Sequence, residues 1–220
     1  MTKINAIITG ASGMVGEGVL HECLLHPDVE SVLVVGRRAC GTQHPKLKEV
    51  LLPDLFDLSG IEAQLKGFNA CFFCMGVSSV GMNEADYTRL TYDLALNFAR
   101  TVVKYNPDMT FCYVSGAGTD STEKGGSMWA RVKGRTENHI LALPFRQAYM
   151  FRPGLIKPIP GLKHTYRIYK VLGFLFPVFK LLTPRFVISL TEIGTAMIRS
   201  VQKGYEKPVL ECLDIGKLAR

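Results

Sequence analysis

The sequence predicts an α/β fold, a doubly wound parallel sheet with a small C-terminal lobe. Short apolar runs alternate with segments of helical period. The first of those runs passes directly into three glycines spaced G-x-x-G-x-x-G. A length of 220 residues with 47% hydrophobic residues fits one domain with a full core and argues against disorder. Strands are expected at about 3–9, 31–36, 49–52, 69–75, 110–115 and 146–152, and helices at about 13–26, 60–66, 84–105, 125–142, 165–182 and 190–203. The 84–105 helix is the best marked: Leu90, Leu94, Leu96, Phe98, Val102 and Val103 keep a mostly helical apolar period, and Asn106-Pro107 ends it. Beyond Arg152 the alternation is interrupted by Pro153, Pro158 and Pro160. That shift divides a domain over 1–155 from a C-terminal lobe over 156–220 in the same compact body.

The first strand and its glycines carry the chemistry. Ile4 to Ile8 reads as a strand, and the helix that follows continues through Val19, Leu20, Leu24 and Leu25. Between them Gly10 permits the tight turn, Gly13 lets the backbone approach a ligand, and Gly16 lets helix and strand pack closely. A helix N-terminus has unpaired N–H groups and a partial positive charge, so this stretch is a site for the pyrophosphate of a dinucleotide. The residues offered to it are Gly10, Ser12, Gly13, Met14, Val15 and Gly16.

Ligands of a doubly wound sheet sit at the carboxyl ends of the strands, so each later strand end is read in turn. The second strand ends in Gly36-Arg37-Arg38. A site preferring NAD wants a carboxylate there for the ribose 2′-hydroxyl, whereas planar guanidiniums bind the oxygens of a 2′-phosphate in pairs. Arg37 and Arg38 therefore favour NADP over NAD. The third ends in Pro53-Asp54, a carboxylate for the adenine amino group or a cap for the following turn. The fourth ends in Met75-Gly76, a small turn beside the cofactor. The fifth ends in Ser115-Gly116-Ala117, which brings a hydroxyl to the catalytic level, and the sixth in the rigid turn Pro153-Gly154.

With these residues the chain resembles the short-chain dehydrogenase/reductase superfamily, an NAD(P)-binding Rossmann fold. It is most similar to the atypical branch that holds the Tat-interacting protein and epimerase/dehydratase-like proteins. Thr9-Gly10, Gly13, Gly16, Val35-Gly36-Arg37, Asp54, Phe73-Cys74-Met75-Gly76, Val114-Ser115-Gly116-Ala117, Val132-Lys133-Gly134 and Phe151-Arg152-Pro153-Gly154 carry the likeness, which covers about 1–155. The resemblance implies an oxidoreductase or epimerase acting on a small molecule. It implies that Ser115 steadies the substrate oxygen and that Lys133 holds the nicotinamide ribose, with Pro153 and Gly154 beside the cofactor. It also expects a tyrosine four residues before Lys133, where this chain has Trp129. An indole N–H donates a hydrogen bond but exchanges no proton near neutral pH, and general acid catalysis is worth roughly 10²–10⁴-fold. Tyr92, Tyr87 and Tyr113 are the replacement donors to consider, Tyr92 first; each also reads as half-buried packing. The other reading is a non-catalytic, NADP(H)-binding regulator or scaffold.

The six cysteines are scattered through apolar segments, which reads as reduced, buried thiols in a cytoplasmic protein. Cys71 and Cys74 form a C-x-x-C, but residues three apart on a strand face opposite ways, so no metal is expected. The net charge of +7 is spread along the chain without a block, and no nucleic-acid partner is expected. No leader and no spanning segment is read. The run 163–190, aromatic with a basic flank and broken by Pro177 and Pro184, suits a lid over an apolar substrate or an interface between copies of the chain better than a membrane surface.

Overall fold

The computed structural model of the chain describes residues 3–164, 183 and 185–220. Its centre is a parallel sheet of seven strands: β1 (Ile4–Thr9), β2 (Val29–Gly36), β3 (Leu47–Leu51), β4 (Ala70–Phe73), β5 (Thr110–Val114), β6 (Gln147–Arg152) and β9 (Val209–Glu211). They lie in the order β3-β2-β1-β4-β5-β6-β9. The strand order reverses between β1 and β4, which opens a crevice at their carboxyl ends. Strands β4 and β5 are buried along their whole length and β1 almost so. They are covered on both faces, and their sequences are accordingly near-continuous apolar runs without alternation. The short β7 (Leu155–Lys157) and β8 (Val187–Ser189) pair parallel in a separate two-stranded sheet.

Helices cover both faces. On one, α1 (Met14–Leu25), α5 (Leu190–Lys203) and α6 (Cys212–Leu218) share a core through Val19, Leu20, Cys23, Ile193, Met197 and Ile215. On the other, Ile61 and Leu65 of a 3₁₀ segment (Ser59–Leu65), Phe98 and Val102 of α3 (Leu94–Tyr105) and Ile140 of α4 (Met128–Leu141) pack on Cys71, Phe73, Phe111 and Tyr113. Helix α5 starts at a capping box in which the Ser189 hydroxyl accepts from the Glu192 N–H and the Glu192 carboxylate accepts from the Ser189 N–H. It crosses α1 where both lack side chains. A Cβ on Gly194 would lie 2.6 Å from Glu22 Cγ, and one on Gly18 would lie 2.9 Å from Leu190 Cδ1. No helix among the described residues is long and apolar enough to cross a membrane.

The doubly wound parallel sheet and its six main strands stand where the alternation of the sequence places them. One difference matters. The expected 84–105 helix is built of α2 (Glu84–Thr88), a π turn (Arg89–Asp93) and α3, with Asn83 capping α2 by accepting from the Asp86 N–H. Two elements of the C-terminal segment join the main body: β9 extends the main sheet beside β6, and α5 lies in the core against α1. Strands of three residues carry no readable period, so β7, β8 and β9 were invisible to pattern. The helix expected at 165–182 falls outside the described residues.

Helix α4 meets the loop after β5 at Gly134, where a Cβ would lie 1.8 Å from the Asp120 carbonyl oxygen. Alanine in mid-helix gains about 1 kcal/mol of propensity over glycine, but overpacking against backbone costs about 1–3 kcal/mol or more. Gly134→Ala is therefore expected to lose stability, read as a lower urea midpoint at unchanged slope.

Candidate dinucleotide site

The crevice is built on the glycine turn. Gly10 has φ +74°, a left-handed conformation, and a Cβ there would lie 2.7 Å from the carbonyl carbon of Cys74 at the end of β4. A Cβ on Gly16 would lie 2.1 Å from the Gly10 carbonyl oxygen. At Gly13 nothing is nearer than 3.4 Å, so that side of the turn is open to a ligand. Gly13 donates its N–H to the Gly10 carbonyl at 2.9 Å and stands at the N-cap of α1, where no side chain caps the helix. Met14 and Val15 turn their side chains to the core, so what they offer a ligand is the peptide N–H. Uncapped first-turn amides are the donor set that a diphosphate needs.

A groove of about 540 Å³ runs from this turn across the strand ends, lined by Gly10 to Gly13, Gly36 to Arg38, Pro53 to Phe56, Cys74 to Val77, Arg89, Leu90 and Leu94. Arg37 and Arg38 are exposed on it, and neither is held by a carboxylate among the described residues. Asp54 Oδ1 accepts from the Phe56 N–H at 2.9 Å. Asp54 thus caps its turn while lining the groove. Gly76 lines it with nothing within 4 Å of a Cβ. A cavity of similar size, about 560 Å³, lies over β2 and β3 between Lys48, Gln64 and Lys66, but it gathers neither the glycine turn nor the ends of the central strands. The sequence reading missed Arg89 and Phe56. They come from the π turn and from the loop after β3, and only the fold brings them to one wall.

The catalytic level is arranged differently from expectation. Ser115 is 6% exposed, and its hydroxyl donates to the carboxylate of Glu137, which is 0% exposed. Glu137 also accepts from Arg152 through Nε at 3.0 Å and through Nη2, a two-pronged pair. Arg152 reaches on to Ser121 Oγ and to Glu211 at 3.3 Å. Ser115 is thereby corrected from a free hydroxyl to a member of a buried ion network: its one proton is already given to Glu137. Lys133 stands one turn before Glu137 on α4 and donates from Nζ to the Ser115 carbonyl. Burial brings its ammonium down to about 8, opposed by the attraction of Glu137.

The tyrosines do not replace the missing donor. Tyr92 hydrogen-bonds His139 Nδ1 at 2.5 Å, and the Arg135 guanidinium lies 4.3 Å from the centre of its ring. Arg135 is about 200° around α4 from Lys133, so Tyr92 meets the far side of that helix and is corrected as the catalytic partner of Ser115 and Lys133. Tyr87 and Tyr113 are buried, which pushes both phenols above their ordinary range and away from neutral proton transfer. Trp129 packs its indole on the loop after β5, with Cη2 3.4 Å from where a Gly118 Cβ would stand.

Pro153 and Gly154 are held in the packing of the chain itself. The Pro153 carbonyl accepts from the Ala117 N–H at 2.9 Å, and a Cβ on Gly154 would lie 2.4 Å from the Phe186 carbonyl oxygen. Neither lines the groove; both serve chain packing. Cys71 and Cys74 join cores on opposite faces of the sheet.

No family model matches the chain. Among curated relatives, the fmp52-2 protein of Aspergillus oryzae is 28% identical over 153 residues, covering 69% of this chain and 66% of that protein. The FMP52 protein of Meyerozyma guilliermondii is 26% identical over 158 residues, covering 70% and 65%. The chain thus spans about two thirds of the length of the relatives it matches. Both are named mitochondrial, which overturns the expectation of a cytoplasmic protein: buried reduced thiols report on local packing and do not name a compartment. Among solved structures, ADP-L-glycero-D-manno-heptose-6-epimerase of Helicobacter pylori superposes with TM-score 0.68 at 15% identity, covering 99% of this chain and 80% of that one. The Bordetella bronchiseptica enzyme WbmG in complex with NAD gives 0.70 at 11%, covering 99% and 77%. L-Sorbose reductase of Gluconobacter frateurii, complexed with NADPH and L-sorbose, gives 0.66 at 13%, covering 93% and 91%. The fold is the Rossmann-like fold of these neighbours, two of which are described in complex with NAD or NADPH.

Two outcomes are expected. Glu137→Gln removes a charge from a buried pair and leaves Arg152 partly uncompensated, so urea unfolding should show a loss of about 3 kcal/mol or more. Lys133, with a folded value near 8 against an ordinary 10.5, releases its proton in the folded chain before the unfolded one. The unfolded state then binds more protons between about pH 8 and 10.5, so this group makes stability rise with pH across that window. The difference in unfolding free energy between the parent and Lys133→Met should rise over those pH values and be flat below them.

Proposed function

We propose that this chain binds a nicotinamide dinucleotide, with NADP(H) preferred, in the groove at the carboxyl ends of β1, β2 and β4. One observation carries the reading: uncapped amides at one end of the groove and, at the other, two guanidiniums without a carboxylate partner among the described residues. The amides near Ser12 and Gly13 hold the diphosphate, and Arg37 and Arg38 bind the 2′-phosphate in pairs. The Asp54 oxygen not used by Phe56 accepts from the adenine amino group, and the Lys133 ammonium serves the ribose hydroxyls. A bound nicotinamide supplies hydride chemistry. The relatives and neighbours support a place beside the short-chain dehydrogenases/reductases, and the motifs around Gly10, Lys133 and Arg152 support the atypical branch.

An oxidoreductase acting on a small molecule is the activity that this placement implies. Binding without carbonyl reduction is the second reading, and the hydroxyl of Ser115 favours it: with that proton spent on Glu137 and an indole at position 129, neither usual donor is free. Titration with NADPH and NADH is expected to show at least about tenfold tighter binding of NADPH, a preference of roughly one to two charge-assisted hydrogen bonds. Arg37→Asp should erase the preference; equal losses for both coenzymes would contradict the 2′-phosphate assignment, and no binding of either would end the proposal. Nicotinamide absorbance followed over a carbonyl panel then separates the two readings. Reduction by Trp129→Tyr that the parent lacks would mean that the parent binds without turning over.

A further inference from the structure

We propose that Arg89 determines coenzyme specificity: its guanidinium supplies a third cationic group to the adenosine 2′-phosphate, beside Arg37 and Arg38. This rests on the dinucleotide reading of the groove and deepens it. Arg89 opens the π turn between α2 and α3 and lines the groove with Arg37, Arg38, Asp54 and Phe56. Its guanidinium carbon lies 5.3 Å from the centre of the Phe56 ring. Phe56 is itself fixed at both peptide groups: its N–H donates to Asp54 Oδ1, and its carbonyl accepts from Asn97 Nδ2 at 2.9 Å.

A ring face holds a guanidinium in place without occupying its N–H groups, so the whole donor fork stays available. No carboxylate among the described residues pairs with Arg89. The charge at this wall is lopsided: three guanidiniums face the single carboxylate of Asp54 among the lining residues. The 2′-hydroxyl of NAD would bring nothing to offset that excess. A phosphomonoester brings a charge of about −1.5 to −2 near neutral pH, together with three acceptor oxygens. The helix geometry points the same way. The wider π turn alters the phase of the helix, and Arg89, Leu90 and Leu94 all come to line the groove; π insertions are frequent at functional sites.

The test is calorimetry of the full chain with adenosine 2′,5′-bisphosphate and with 5′-ADP, at about 0.15 M salt to screen unspecific attraction. Arg89→Gln is expected to weaken the 2′,5′-bisphosphate by about tenfold or more while changing 5′-ADP by less than about threefold. Phe56→Leu, which leaves every arginine in place, should weaken the 2′,5′-bisphosphate in the same direction. An unchanged affinity in Arg89→Gln, or an equal loss for both nucleotides, overturns the assignment while leaving the groove a dinucleotide site. A parent chain that binds neither nucleotide overturns the dinucleotide reading itself, and the role of Arg89 with it.

Discussion

Everything at the ligand end of this sheet depends on three backbones meeting without side chains between them. The end of β1, the start of α1 and the end of β4 meet at Gly10 and Gly16, where a Cβ would stand 2.7 Å from Cys74 and 2.1 Å from Gly10 itself. No rotamer change relieves a clash with backbone, so the approach requires glycine. The consequence is functional as well as architectural. Glycine also stands at the N-cap of α1, so no side chain there caps the helix and its first amides are left for a ligand. The same helix, bare at Gly18, then receives α5 at close range through Gly194, which ties the C-terminal segment to the core.

From that fixed point the site divides into two halves with opposite physics. The half at the ends of β1, β2 and β4 is open and cationic, and Arg37, Arg38 and Arg89 stand on it without carboxylate partners among the described residues. The half under α4 is closed. There Glu137 takes the Ser115 proton and both prongs of Arg152, and Arg152 extends to Glu211 on β9. A buried ion pair is weak evidence of net stability, since desolvating two charges offsets most of their attraction. What it secures is geometry: the ends of β5, β6 and β9 and one face of α4 are held at a common set of atoms, and losing any partner leaves a charge stranded.

The legible part of the sequence was the part governed by local rules. The glycine spacing, the long apolar strands and the guanidiniums after β2 each follow from a few adjacent residues, and each stands in the structure where the reading put it. The illegible part depended on which way a helix face turns. Ser115 and Lys133 do meet, but nothing local to Ser115 says that its proton goes to Glu137, 22 positions away. Tyr92 is the first replacement donor that the sequence offers, but the structure has a π turn there and sets Tyr92 against His139 and Arg135. The sequence sets Gly154 beside a cofactor, whereas the close approach it permits is to the Phe186 carbonyl, just ahead of β8. Compartment was never legible, because thiol burial is a packing property.

Trp129 draws these strands together. Its indole lies on Gly118, a residue with φ +88°, and the loop it covers is already held from within. Thr119 donates to the Gly116 carbonyl at 2.7 Å, and Asp120 accepts from the N–H groups of Thr122 at 3.0 Å and Gly125 at 2.7 Å. A loop fixed by its own caps, by an aromatic ring and by a buried ion network has little freedom to reorganise around a developing charge. With the phenol absent and the serine proton taken, the side chain at this level that changes charge near neutral pH is Lys133, near 8. Below that value it is a cation donating to the Ser115 carbonyl. The charge that can change at this level is therefore that of Lys133, while Ser115 and Trp129 are committed to hydrogen bonding and packing within the fold.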